Sequence, residues 1–152
     1  MEECLICQEI AGTVAVPGGQ LPTSPEVAAI HVPPLNAESV YLGYLMVCPR
    51  RHAEDFAALS SEEAAAVGVE IGRWSQALRG AGAERVYVAV VGHHVAHLHV
   101  HLLPRWPETP ADVAWHAVDE WPGARRGGFE EAASFAIQLR ELYPNTDNPR
   151  SD

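Results

Sequence analysis

The sequence predicts an α+β domain, and three observations carry that reading. Residues 97–102, His-Leu-His-Val-His-Leu, alternate polar and apolar side chains, which is the period of a strand. Residues 60–78 open with a capping box and continue with apolar residues at helical steps. Several strand-like runs follow one another along the chain, with two longer helical segments to pack on them.

The elements follow in order. Residues 4–11, CLICQEIA, predict a short opening helix. Residues 16–25, VPGGQLPTSP, are turn-rich, with room for an edge strand. Residues 26–34, EVAAIHVPP, read as a strand ended by paired prolines, and residues 41–49, YLGYLMVCP, as a mostly buried strand closed by Pro49. Ser60 and Glu63 form the capping box. Val67, Ile71, Trp74 and Leu78 then follow at steps of 4, 3 and 4 residues, one helical stripe, which Gly80 and Gly82 end. Residues 85–92, RVYVAVVG, are a strand. A short turn at 93–96 leads from it into the histidine run, so the two should pair as an antiparallel hairpin. Residues 104–128 are rich in Pro, Gly and Trp and read as an ordered loop. Residues 129–143 form a last helix stopped by Pro144, and 145–152 a frayed tail.

The 152 residues fit one domain, 1–152, long enough for a sizeable core. The formal net charge of −10 lacks the basic surface that general nucleic-acid binding requires. It leaves room for a small anionic ligand held locally. The three cysteines are an odd number with no secretory signal beside them, and no apolar run is long enough to span a bilayer. No disulfide framework, no membrane insertion and a cytoplasmic location are therefore expected.

On a strand His97, His99 and His101 share one face, with successive rings roughly 6.5–7 Å apart along it. Such rings suit different parts of one extended ligand, or different sites. Two chemistries fit them. Alternating histidines can ligate a metal. A neutral imidazole whose other nitrogen is held by an acceptor can also attack phosphorus as a nucleophile.

The run HLHVHLLPR resembles the signature of the histidine-triad (HIT) superfamily, including the trailing Pro-Arg. Upstream, GYLMVCPRRHAEDFAALSSEE is similar to that family's strand–loop–helix segment, and CLICQEI to its opening Cys-x-x-Cys helix, so the likeness runs over residues 4–106 in order. It implies an antiparallel sheet with two packed helices and a short N-terminal helix, with residues 107–143 as an appended loop and helix. It also implies an enzyme that hydrolyses at the α-phosphate of a nucleoside phosphoramidate or dinucleoside polyphosphate, on a purine nucleotide, through a nucleotidyl-histidine intermediate. In that scheme His99 attacks and His101 stabilises charge on phosphate oxygens. The backbone around Gly92, His93, His94 and Val95 lies near the phosphates, and Asn36 is the nearest candidate to hold the ribose.

The resemblance further implies one structural zinc on Cys4, Cys7, His52 and His97, with Cys48 in the core, and a homodimer formed through the helix and sheet edge. This chain departs from the pattern with GHHVA in the loop before the triad, and with Tyr44 where a histidine often follows the glycine. Three other functions compete: a nucleotidyl transferase, a nucleotide-binding or interaction module with little turnover, and a metallo-enzyme whose triad holds a catalytic ion. A Cys-x-x-Cys pair also occurs in redox motifs.

Overall fold

The computed structural model describes residues 4–144, so the expected tail at 145–152 lies outside the described residues. The described residues form helices α1 (Leu5–Ala11), α2 (Ser61–Gly80) and α3 (Phe129–Glu141), and strands β1 (Val27–His31), β2 (Val40–Tyr41), β3 (Leu45–Pro49), β4 (Arg85–Ala89), β5 (Val100–Arg105) and β6 (Arg126–Gly127). Four strands make an antiparallel sheet in the order β1-β3-β5-β4, and β2 pairs with β6 as a separate ribbon. An α+β architecture is thus observed, with β4 and β5 forming the expected hairpin.

The capping box specifies the start of α2. The Ser60 hydroxyl accepts from the Glu63 amide at 3.1 Å, and the Glu63 carboxylate accepts from the Ser60 amide at 2.9 Å. The stripe of α2 then buries Val67, Trp74 and Leu78 fully against the sheet, with Ile71 half-buried beside them. Full burial of each such side chain contributes roughly 1.5–3 kcal/mol. Trp74 keeps its indole N–H satisfied by donating to the Pro22 carbonyl at 3.1 Å. Midway along α2 the buried Glu70 carboxylate accepts from the Ser24 amide, the Arg73 guanidinium and the Tyr143 hydroxyl, at 3.0, 2.8 and 2.8 Å. This network ties Tyr143, just after α3, to α2, and α3 adds Ala136 and Leu139 to the same core.

Register decides which face carries the chemistry. His101 sits opposite Met46 on β3 and Ala89 on β4, while Val100 and Leu102 sit opposite Val47 and Leu45. Val100, Leu102, Leu45 and Val47 belong to the core under the helices, so His101 looks out of the opposite face. There α1 lays Ile6 over Ala28 and Cys48, and Val16 covers Ile30 and Met46. The N-terminal segment thereby covers the β1–β3 half of this face and leaves His99 and His101 only partly buried beside it.

Four expectations change. The run expected as one strand over 41–49 is broken at Gly43, whose φ of +90° suits glycine and whose added Cβ would stand 2.9 Å from Pro104 and from Trp106. The histidine strand starts at Val100 rather than 97, because other bonds pin the preceding residues. The Leu98 amide donates to the Ala53 carbonyl at 2.7 Å. The edge strand expected in 16–25 reduces to a single bridge, Leu21 to Ala29. The segment 104–128, expected as loop, includes the end of β5 and one strand of the β2–β6 ribbon.

Candidate active site and metal centre

The three triad histidines separate into two sites. His97 is fully buried, and its Nε2–H donates to the Pro49 carbonyl at 2.8 Å. That bond leaves the Nδ1 lone pair directed at the thiols, 3.6 Å from Cys4 Sγ and 3.4 Å from Cys7 Sγ. His52 brings its own Nδ1 to 3.3 Å from Cys7 Sγ, with its ring edge-on to His97. Each element delivers its ligand by a short local device. Cys4 is the N-cap of α1 and Cys7 lies in its first turns. The loop bearing His52 is held one residue earlier, where Arg51 grips Glu63 of α2 with two bonds at 2.8 and 2.7 Å and the Ala58 carbonyl with a third at 2.7 Å. The Arg51 guanidinium holds the Glu63 carboxyl down to about 2.

These four residues could hold a metal ion. Their ligand atoms all lie within 4.8 Å of one another. A tetrahedron with two sulfur and two nitrogen ligands has edges of roughly 3.3–3.8 Å at ordinary zinc bond lengths. The separations of 3.3, 3.4 and 3.6 Å fall on that scale. The Pro49 carbonyl is the kind of outer partner that fixes the tautomer of a ligating histidine. Burial, and then the neighbouring Cys4 thiol, push the Cys7 thiol up. Cys48 is buried in the core, donates weakly to the Ala28 carbonyl at 3.6 Å and stands apart from the four.

His99 and His101 form the second site. Their rings meet edge to face with centroids 4.9 Å apart, closer than a regular strand would place them, because His99 precedes the ladder. The Nδ1–H of His99 donates to the carbonyl of His97 at 2.6 Å. A carbonyl only accepts, so the proton sits on Nδ1 and Nε2 keeps its lone pair. His101 pairs its Nδ1 with the Tyr44 hydroxyl at 2.7 Å. Burial, and then the charge of His99, lower His101 to about 4, so its ring is neutral near pH 7.

The remaining expected site residues, Gly92, His93, His94, Val95 and Asn36, lie in two loops, while Arg105 and Trp106 serve the fold. Gly92, with φ +62°, and the exposed His93 and His94 lie in the loop before the triad, their two rings 4.8 Å apart. Val95 turns inward onto Ile6, Ala28 and Cys48. Asn36 occupies an exposed turn between β1 and β2 at φ +53°. Arg105 donates to the carbonyls of Val113 and Pro110 and so holds the following loop. Trp106 is core, with its indole N–H on the Leu42 carbonyl at 3.1 Å.

Two residues that shape the site carry no pattern in the sequence. His31 is fully buried. It donates from Nδ1 to the Val32 carbonyl at 2.9 Å and accepts at Nε2 from the Gly43 amide at 3.0 Å. Tyr44 was visible only as a departure from the resemblance.

Fold and site together describe an α+β histidine-triad domain with an adjoining thiol–imidazole cluster. The HIT domain family model matches residues 25–108, more than half of the chain, and the chain belongs to the HIT family. Solved structures share the fold. A zinc-bound histidine triad family protein from Mycobacterium smegmatis is 18% identical, with TM-score 0.68 and 93% of each chain covered. A hypothetical histidine triad nucleotide-binding protein from Sulfolobus tokodaii is 20% identical, with TM-score 0.70 and 91% of each chain covered. A Hit-like protein involved in cell-cycle regulation from Bartonella henselae is 15% identical, with TM-score 0.66, over 93% of this chain and 98% of that one. No curated protein matches the chain. No helix among the described residues is long and apolar enough to cross a membrane.

Proposed function

We propose that this protein is a nucleotide hydrolase that cleaves at the α-phosphate of a purine nucleoside phosphoramidate or dinucleoside polyphosphate through a nucleotidyl-histidine intermediate. The observation that carries the reading is the bond from His99 Nδ1 to the His97 carbonyl, 2.6 Å long. It fixes the tautomer that a nucleophilic imidazole needs and aims Nε2 at the partly open face. A metal-binding role for the whole triad fits less well. His97 is committed to the cysteine cluster, whereas His99 and His101 are each held by other groups.

The steps follow from that geometry. The Nε2 lone pair of His99 forms a bond to the α-phosphorus, and the bond from phosphorus to the leaving group breaks, its electron pair departing with the nucleotide, or with an amine that takes up a proton from solvent. His101 donates a hydrogen bond to a non-bridging oxygen and offsets the added charge. Removing one such donor commonly costs about 10²–10³-fold in rate. Water then attacks phosphorus and gives up a proton to solvent, the phosphorus–nitrogen bond breaks with its electron pair returning to His99 Nε2, and nucleoside monophosphate leaves. Amides around Gly92, His93, His94 and Val95 supply further donors to the phosphates, and Asn36 remains the proposed contact for the ribose hydroxyls.

The Cys4, Cys7, His52 and His97 set would hold one zinc ion per chain, and zinc there supplies cross-linking rather than Lewis acidity, since four protein ligands fill a tetrahedral shell. The zinc-bound relative from Mycobacterium smegmatis supports that choice of metal. Thiol ligands require a reducing compartment, which supports the cytoplasm. A homodimer is proposed through the free edge at β4. Val88, Val90, Val91 and Phe56 are exposed there, whereas the α2 stripe is already buried in its own core.

Turnover of a panel of nucleoside phosphoramidates and dinucleoside polyphosphates in heavy-oxygen water tests the reading. Label in the released monophosphate is expected. Unlabelled monophosphate transferred to another acceptor would make the protein a nucleotidyl transferase. Binding without turnover would make it a nucleotide-binding module.

A further inference from the structure

We propose that Tyr44 is a positioning residue whose hydroxyl donates to Nδ1 of His101 and so places the ring proton of His101 on Nε2, facing the substrate. The two neighbouring histidines then present opposite groups. His99, held by an acceptor, offers a lone pair; His101, held by a donor, offers an N–H. That His101 meets substrate rests on the proposed phosphoryl reaction, whereas the tautomer itself does not.

The hydroxyl and the ring nitrogen are 2.7 Å apart, a short hydrogen bond. Two arrangements are possible for a neutral ring. The hydroxyl can donate to Nδ1, with the ring proton on Nε2. Alternatively Nδ1–H can donate to the phenolic oxygen, and the hydroxyl proton then needs another acceptor. Among the described residues the Tyr44 hydroxyl has no partner other than His101. The second arrangement therefore strands a hydroxyl proton in a partly buried place, which costs more than a net hydrogen bond contributes. Burial supports the first arrangement on both sides. It pushes Tyr44 up to about 12, so the hydroxyl keeps its proton, and lowers His101 to about 4, so the ring carries one proton.

The backbone presents Tyr44 rigidly. Its carbonyl accepts from the Val32 amide at 2.9 Å, and the Gly43 amide just before it donates to His31 Nε2 at 3.0 Å. Met46, two residues on, stands opposite His101 in the ladder, so Tyr44 lies on the same face, diagonal to the ring it holds. The left-handed turn at Gly43 brings the chain onto that face.

The test is nitrogen-15 NMR on histidine-labelled protein, with kinetics on Tyr44→Phe. In the unsubstituted protein His101 should show a protonated Nε2 and an unprotonated Nδ1, and His99 the reverse. Tyr44→Phe keeps the ring and removes the donor. It should shift His101 toward a mixture of tautomers, and kcat should fall on the order of tenfold while KM changes little. A His101 ring protonated at Nδ1 in the unsubstituted protein would overturn the proposal, whatever the variant does. So would a Tyr44→Phe protein that folds, keeps the His101 tautomer and keeps kcat. If no nucleotide is turned over, the proposed reaction fails separately and the tautomer measurement still decides the role of Tyr44.

Discussion

His97 and His99 are joined so that one residue serves two sites. The ring of His97 faces Cys4 and Cys7, while its backbone carbonyl accepts from Nδ1 of His99 at 2.6 Å. Whatever fixes the His97 ring therefore also fixes the group that orients the proposed nucleophile.

Metal removal should act on stability and on rate together. One zinc per chain is expected by elemental analysis, and Cys7→Ser should lower that content. Chelation should lower the melting temperature by roughly 10 °C, the shift expected when about 3 kcal/mol is lost from a chain of this length. It should also lower kcat, because the His97 ring then loses its bond to the metal and keeps only hydrogen bonds to Pro49 and the two thiols. A purified protein that carries no metal and loses nothing on chelation contradicts the assignment.

Acid should destabilise the fold through His31. Burial lowers this histidine to about 4, against an ordinary value of 6.5. Between those values the unfolded chain binds a proton that the folded chain does not, so stability rises with pH in that window and is lost on acidification. The loss from His31 between pH 7 and pH 5 is about 2 kcal/mol. Urea unfolding of His31→Asn at the two pH values should show a smaller drop than the unsubstituted protein. An equal drop in both would show that His31 does not titrate as its burial requires.

What was legible in the sequence was local. The capping box of Ser60 and Glu63 and the stripe of Val67, Trp74 and Leu78 depend on neighbours within a few turns, and both stand in the structure. The alternation of the histidines predicted a strand from 97, but the strand begins at Val100, since Leu98 bonds to Ala53 and His97 to Pro49, neither within the ladder. The break at Gly43 was hidden because its cause is the approach of Pro104 and Trp106, some sixty residues away. His31 and the pairing of Tyr44 with His101 were hidden for the same reason: they close contacts across 12 and 57 residues, and no periodicity marks them. The four candidate metal ligands became visible through resemblance, which supplied the spacing that composition does not.

Dimerisation is expected at the exposed edge of β4. Light scattering at micromolar concentration should report two copies, and Val88→Lys or Val90→Lys should yield monomer with an unchanged melting profile at low concentration. Each places a charge on an exposed edge position, a common means of blocking strand pairing. A monomer in the unsubstituted protein sets the proposal aside.

His99 is the proposed nucleophile. The most direct measurement is intact-protein mass spectrometry of a rapidly quenched reaction with an adenosine phosphoramidate, followed by peptide mapping. One nucleotidyl group per chain, attached to His99, is expected. His99→Ala should lose the adduct, together with a fall in turnover on the order of 10³-fold or more. Near-normal turnover in folded His99→Ala, or an adduct mapped to a different residue, would contradict it.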